Sequence, residues 1–231
     1  MITLKILLAF MPAILLAAFI YWKDAKKEPA SWLAKAFGLG IAISVPVVIV
    51  EIWMGKLLFA GGEPTTLFGG IMKAFFEAAL PEEALKLLAL WIFLRNNPYF
   101  DEHFDGIVYA VYIGLGFAAF ENMFYVLNAE NWITVGIMRA LLSVSGHYAY
   151  AVIMGYYYSM YHFVDKSAKN AFFALFIPFL AHGVYDAVIM GSPFSPVLEA
   201  VAVPALIYIT YRVQRLAYNR IKILVQKDNI L

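Results

Sequence analysis

Seven long apolar stretches constrain the fold of this chain more than any other feature. A bilayer core of about 30 Å needs about 20 apolar residues of helix, and the sequence contains seven such runs bounded by charge or by Pro/Gly turns. They lie between Lys5 and Lys23 and at about 36–55, 67–94, 106–128, 133–161, 171–190 and 196–211. We therefore predict an all-α, polytopic membrane helix bundle of about seven transmembrane helices, forming one integral-membrane domain over residues 1–231.

Composition supports this prediction and excludes several functions. Apolar residues make up 63% of the chain and charged residues 14%, against roughly 45–50% and 25% in soluble domains. A net charge of +1, with no long basic tract in the body of the chain, argues against nucleic-acid binding. The absence of cysteine excludes disulfides, a cysteine nucleophile and thiolate metal sites.

The distribution of basic residues indicates the orientation in the cell membrane. Short cytoplasmic loops retain Lys and Arg, and an external N-terminus places twelve of the 17 basic residues inside. An odd number of spans then leaves the C-terminus in the cytoplasm. The basic segment 212–231 is predicted to be a cytoplasmic tail lying along anionic lipid.

Ionisable and amide side chains occur at membrane depth in four of the predicted spans. A charged Asp, Lys or Arg there costs at least about 2.5–3.5 kcal/mol, so such residues normally face a bundle interior or water. The sequence places these groups at Lys73, Glu77, Glu82, Glu83, Lys86, Glu121, Asn122, His147, His182 and Asp186. We predict that they share one polar cavity. Glu51 and Glu199 are expected at the membrane interface, and His103 in solvent.

The third span combines a helix interruption with an acid/base arrangement. Pro81 cannot donate a backbone hydrogen bond to the Glu77 carbonyl, which predicts a broken or kinked helix. Lys86 follows Glu83 by three residues and Glu82 by four, so it shares their helix face and can keep one carboxylate ionised while the other takes up a proton. The alternative is an internal ion pair that only locks helix packing.

Small residues in the fourth span predict a close helix contact beside a carboxylate. Gly106, Ala110, Gly114 and Ala118 recur every four residues, and the stripe ends at Asn122, next to Glu121. Asn122 could instead be an interhelical hydrogen bond only.

Two histidines lie in the fifth and sixth spans. Asp186 follows His182 by four residues, a spacing that lets it orient the imidazole or share a water molecule with it. His147 follows Arg139 by eight residues, and a lone histidine in a helix is more often a packed core residue than a functional one.

Three motifs in these spans resemble a known family. Glu82 to Lys86 looks like EExxK, Phe117 to Glu121 like FxxxE, and His182 to Asp186 like HxxxD. Together they resemble the PrsW family of intramembrane proteases, relatives of the CAAX prenyl endopeptidases, whose motifs are EExxxR, FxxxH and HxxxN. The resemblance covers roughly residues 67–190.

The resemblance implies proteolysis of a single-pass, membrane-anchored substrate, in the PrsW case an anti-sigma factor. Glu82 or Glu83 would activate water, and the residues completing the site would be Glu121, His147, His182 and Asp186, supported by Lys86, Asn122 and Arg139. One divalent metal such as zinc, held by Glu121, His147 and His182, is compatible with this family; a metal-free mechanism stays open beside it. An ionised Asp186, where the CAAX enzymes have Asn, cannot donate to an oxyanion.

Two other functions use similar residues. A proton- or ion-coupled transporter also places carboxylates and a broken helix at the midplane, although no second broken helix matches Pro81 here. A non-catalytic scaffold like the APH-type subunit of presenilin complexes would share the fold without cutting. Adjacent Glu82 and Glu83 favour the protease.

Overall fold

The computed structural model describes residues 1–229, and short turns connect its helices. Its α-helices are α1 (Ile2–Lys23), α2 (Ala30–Phe59), α3 (Leu67–Met72), α4 (Leu80–Leu94), α5 (Asp105–Asn128), α6 (Trp132–Arg139), α7 (Ser145–Ser159), α8 (Ala168–Gly191) and α9 (Pro196–Asp228). No strand occurs between residues 1 and 229. The all-α prediction is confirmed.

Seven helical stretches correspond to the seven apolar runs. Six are long and apolar enough to cross a membrane: Ile2–Lys23, Ala30–Phe59, Asp105–Asn128, Trp132–Val164, Ala168–Phe194 and Pro196–Asp228. The seventh spans residues 67–94, where α3 and α4 are joined by a π-helical segment, Lys73–Ala79. The chain is therefore a multi-pass membrane protein.

The interruption at Pro81 takes the form of this π-helical segment. Pro81 lies in the first turn of α4, and the preceding residue Leu80 donates its N–H to the carbonyl of Phe75, five residues earlier. A π turn holds an additional residue, so the chain stays helical although Pro81 cannot donate to Glu77. The consequence is a new α-helical register that begins at Leu80 and carries the Glu82–Glu83 pair in its first turn.

Helix α5 lies at the centre of the bundle and fixes the position of Glu121. Its small-residue stripe packs on α7: a Cβ added at Gly106 would lie 2.0 Å from the Ser159 hydroxyl, and one at Gly155 would lie 2.3 Å from the Gly106 carbonyl oxygen. One at Gly114 would lie 2.7 Å from the Ala151 Cβ. Only residues as small as glycine and alanine allow α5 and α7 to approach this closely.

The last helix differs from its prediction. Residues 212–228 form the C-terminal part of the continuous helix α9. Within this part, Ala217, Ile221 and Leu224 are buried against the bundle. The apolar face of this segment thus has a protein partner, and the predicted contact of its basic side chains with anionic lipid stays a prediction. His103 is likewise buried, not solvated, and pairs with Asp228 at 2.7 Å.

Candidate active site

The first turns of α4 hold two carboxylates and one ammonium group. Lys86 Nζ lies 3.0 Å from Glu82 Oε2 and 2.9 Å from Glu83 Oε1. All three residues are buried. The spacing that predicted a shared helix face thus produces a compact triad, in which one cation compensates two acids.

His182 on α8 connects this triad to Asp186. Its Nδ1 lies 3.0 Å from Glu83 Oε1 and its Nε2 lies 3.2 Å from Asp186 Oδ2. The Nδ1–Glu83 contact is a hydrogen bond, and the Nε2–Asp186 contact places a second carboxylate within ion-pair distance of the ring. The Tyr150 ring stacks on the imidazole at a centroid distance of 5.1 Å, so the orientation of His182 is fixed on three sides.

His147 on α7 connects the triad to Glu121. Its Nδ1 lies 3.2 Å from Lys86 Nζ, and its Nε2 lies 2.9 Å from Glu121 Oε2. An ammonium group only donates and a carboxylate accepts, so these partners assign the proton of the neutral ring to Nε2. The Nδ1 lone pair therefore faces the Glu82–Glu83 side.

Arg139 and Asn122 complete the network at its other end. Arg139 Nη2 lies 2.9 Å from Glu121 Oε2, and Arg139 Nε donates to Asn122 Oδ1 at 3.1 Å. Asn122 also donates to the carbonyl of Ala9 at 2.9 Å. Asn122 is thus an interhelical link that positions Arg139.

The structure brings all six predicted site residues into one continuous network. In order of contact it runs through Asp186, His182, Glu83, Lys86, His147, Glu121, Arg139 and Asn122, with Glu82 beside Lys86. Their proximity is a structural finding, whereas the catalytic role of each residue stays a prediction.

A cavity of about 620 Å³ opens beside this network. Glu82 and Glu121 line it, as do His147, His182 and Asp186, whereas Glu83 and Lys86 lie behind its wall. Much of the remaining wall is apolar or aromatic, including Val47, Val48, Phe117, Phe120, Phe124, Met138, Leu142 and Leu206. The cavity therefore has a mostly apolar wall and one charged side.

Sequence reasoning missed several residues of this cavity. Glu51, expected at the interface, lines the cavity, and so do Tyr150, Tyr185 and Ser143. Glu51 lies inside the apolar run 36–55, and a carboxylate at such a position requires a polar environment. This position could therefore have predicted that Glu51 faces the cavity. The tyrosines carried no such signal, since aromatic residues are common throughout these helices.

The donor set near Glu82 fits a divalent metal in type and spacing. Glu82, Glu83, His147 and His182 each offer a ligand atom within 4.8 Å of the others, and Glu83 Oε2 is buried without a hydrogen-bond partner. Two imidazoles and carboxylates are common zinc ligands. Lys86 Nζ engages three of the four residues, so it must move aside when an ion binds.

The predicted ligand set of Glu121, His147 and His182 differs from this group. The Glu121 carboxylate lies at the Nε2 edge of His147, while Nδ1 faces Lys86 and the glutamate pair. The ligand role of Glu121 stays a prediction, and Glu82 and Glu83 are the carboxylates grouped with both histidines. A divalent ion at these four residues would supply Lewis-acid activation of water.

The fold and the site together define a polytopic membrane protein with a buried glutamate–histidine centre. Residues 28–212 match a family described as "PrsW family intramembrane metalloprotease". The chain belongs to this family, and it is a membrane protease.

Curated relatives cover most of the chain. It is 34% identical to Protease PrsW of Oceanobacillus iheyensis over 212 residues, which is 91% of this chain and 94% of that protein. It is 36% identical to Protease PrsW of Clostridioides difficile over 190 residues, or 80% and 78% of the two chains. Protease PrsW of Bacillus subtilis is 34% identical over 77% of this chain and 79% of its own length. No solved structure gives a significant match.

Proposed function

We propose that this protein is an endopeptidase that cleaves a single-pass, membrane-anchored protein substrate, with Glu82 as the base that activates water. The observation that carries the proposal is the position of Glu82. Of the two adjacent glutamates, only Glu82 lines the cavity, and a general base must reach the water that it deprotonates. Glu83 is fully buried and binds Lys86 and His182, which suits a positioning residue.

The chemical step uses groups already in contact with the cavity. Glu82 takes a proton from water as the water oxygen attacks the carbonyl carbon of the scissile peptide bond. The same carboxyl group then gives this proton to the departing nitrogen as the C–N bond breaks. His182 lies between the carboxylates of Glu83 and Asp186, and in its protonated form it would supply positive charge near the developing oxyanion. The CAAX enzymes have Asn where this chain has Asp186, and an ionised Asp186 cannot donate a hydrogen bond to the oxyanion. His182 would take over this donor role.

The remaining network keeps these groups in place. Arg139 compensates Glu121, which in turn fixes the tautomer of His147. With Nε2 protonated, Nδ1 accepts from Lys86 Nζ, which holds this ammonium group beside Glu82. Fixed rotamers and fixed protons of this kind are what a hydrolytic site requires before the substrate arrives.

The cavity favours a peptide segment as the substrate. Its apolar walls suit the side chains of a membrane-anchored segment, and its charged side suits a hydrated, unwound backbone. We propose regulated proteolysis of an anti-sigma-factor-like membrane protein, in line with the resemblance of this chain to the PrsW family. With the N-terminus outside, Glu51, Lys73 and Glu77 lie toward the external side, so cleavage is proposed on that side.

Reconstituted protein tests the proposal. Proteoliposomes containing wild type and a single-pass substrate should produce two fragments, and the substrate should persist in liposomes with the Glu82→Gln variant. Repeating the reaction with a chelator, and then with added zinc, measures metal dependence separately. A wild-type protein that cuts no single-pass substrate but moves protons across the vesicle membrane would overturn the proposal in favour of a transporter.

A further inference from the structure

A second cluster of acidic residues lies at the opposite end of the bundle from the cavity. Asp24 follows α1, Glu102 precedes α5, and Asp105 begins α5. One carboxylate oxygen of each lies within 4.8 Å of the other two. Asp24 is 2% exposed and Asp105 is 0% exposed, so at least two of these carboxylates are removed from water.

Each of the two buried carboxylates has one oxygen that is bonded and one that is not. Asp24 Oδ1 accepts from the Lys26 amide at 3.1 Å, and Asp105 Oδ2 accepts from the amides of Asp101 and Glu102 at 3.0 and 2.7 Å. Asp24 Oδ2 and Asp105 Oδ1 are buried without any hydrogen-bond partner. Buried carboxylate oxygens normally have a partner, because an unpaired one loses its hydration energy.

The nearby lysines are engaged elsewhere, and Lys23, which lines the small cavity beside the cluster, has its Nζ over the Phe19 ring at 5.6 Å. Lys26 Nζ pairs with Asp101 at 2.6 Å, and Lys27 Nζ binds main-chain oxygens of Tyr21, Trp22 and Asp24. Across residues 1–229, no ion pair reaches the carboxylates of Asp24, Glu102 or Asp105. The cluster therefore has a deficit of positive charge.

A small cavity adjoins the cluster. Its volume is about 10 Å³, and its lining includes Asp24, Glu102 and Asp228, which is close to the space that a single water molecule or ion occupies. A buried carboxylate without a counter-ion is costly.

We propose that Asp24, Glu102 and Asp105 form a binding site for one hard divalent cation, Mg²⁺ or Ca²⁺. The donors are all carboxylate oxygens, the ligand type that these ions prefer over the nitrogen and sulfur ligands of zinc. The ion would bridge the end of α1 to the start of α5, on the side opposite the proteolytic cavity. It would act as a structural link whose presence does not depend on the proposed peptidase chemistry.

Thermal unfolding of the full chain in detergent tests this site. After removal of bound metal with a chelator, Mg²⁺ or Ca²⁺ at about 100 times its Kd should raise the Tm by at least about 5 °C, relative to NaCl at the same ionic strength. Asp24→Asn and Glu102→Gln should abolish the increase. Asp101→Asn is the matched control, because Asp101 lies in the same loop but pairs with Lys26, and it should retain the increase.

Two further measurements separate this site from the other possibilities. The increase should persist in Glu83→Gln, which impairs the glutamate–histidine centre, so an increase lost there would assign the ion to that centre and overturn the proposal. Tb³⁺ luminescence excited through tyrosine should report binding to the wild type, with displacement by Ca²⁺. If neither ion changes the Tm and Tb³⁺ does not bind, the carboxyl groups share protons instead, and the proposal fails.

Discussion

Replacement of Lys86 by methionine should destabilise the protein more than the same replacement of Lys73, the other lysine in the helical stretch 67–94. Lys86 is 3% exposed, its Nζ lies 3.0 and 2.9 Å from the carboxylates of Glu82 and Glu83, and it also contacts His147 and the Phe117 ring. Methionine keeps the stem volume but removes the charge. Two buried carboxylates then lose their shared cation.

The expected loss follows from the burial of this triad. Removing one partner of a buried ion pair costs about 3–5 kcal/mol, because the other charge stays buried and uncompensated. For a chain of this size, about 2–4 °C of Tm corresponds to 1 kcal/mol, so the Tm should fall by about 6–20 °C. The double variant Glu83→Gln/Lys86→Met should recover much of this loss, since it removes one carboxylate together with the cation.

Tryptophan fluorescence during thermal unfolding in detergent measures these changes. Lys73→Met is the matched control on the same helical stretch. Lys73 pairs with Glu63, whose side chain is 80% exposed, and only at 3.8 Å with Glu77, so its loss should cost less than about 1 kcal/mol. If Lys86→Met lowers the Tm no more than Lys73→Met, or if the double variant is less stable than Lys86→Met alone, Lys86 is not the buried counter-charge of the pair.

Two further predictions concern the bundle. Gly155→Ala should cost about 1–3 kcal/mol of unfolding free energy through overpacking, since its Cβ would lie 2.3 Å from the Gly106 carbonyl oxygen; Gly38→Ala, whose Cβ would meet nothing within 4 Å, is the control, and equal Tm values for the two would contradict the close α5–α7 contact. For the topology, a cysteine introduced at Glu130 should react with an impermeant reagent on intact cells and one at Asp165 should not, and the reverse pattern would place the N-terminus inside.

The sequence predicted the spans and the site because both depend on the cost of polarity in lipid. Runs of apolar residues must cross the bilayer, and scattered charges such as Glu121 and His182 must find one another. The i,i+3 and i,i+4 spacings then fixed which groups share a face, as the Lys86 contacts illustrate.

Other features depended on tertiary contacts that periodicity does not encode. The π-helical segment before Pro81 arises from a local choice of hydrogen-bond register, and the packing of the C-terminal part of α9 depends on partners on other helices. The proposal of different roles for Glu82 and Glu83 required coordinates, because these adjacent residues have identical chemistry and differ in which one lines the cavity.

The most direct test of the central claim is the turnover of a single-pass substrate by Glu82→Gln, compared with Glu77→Gln in folded, reconstituted protein. Both glutamates line the cavity from the same helical stretch, and Gln preserves side-chain volume in each. Loss of a general base predicts that Glu82→Gln is slower than wild type by at least about 10²-fold, while Glu77→Gln stays within a few-fold of wild type. Wild-type turnover by a folded Glu82→Gln protein would contradict the assignment of Glu82 as the base.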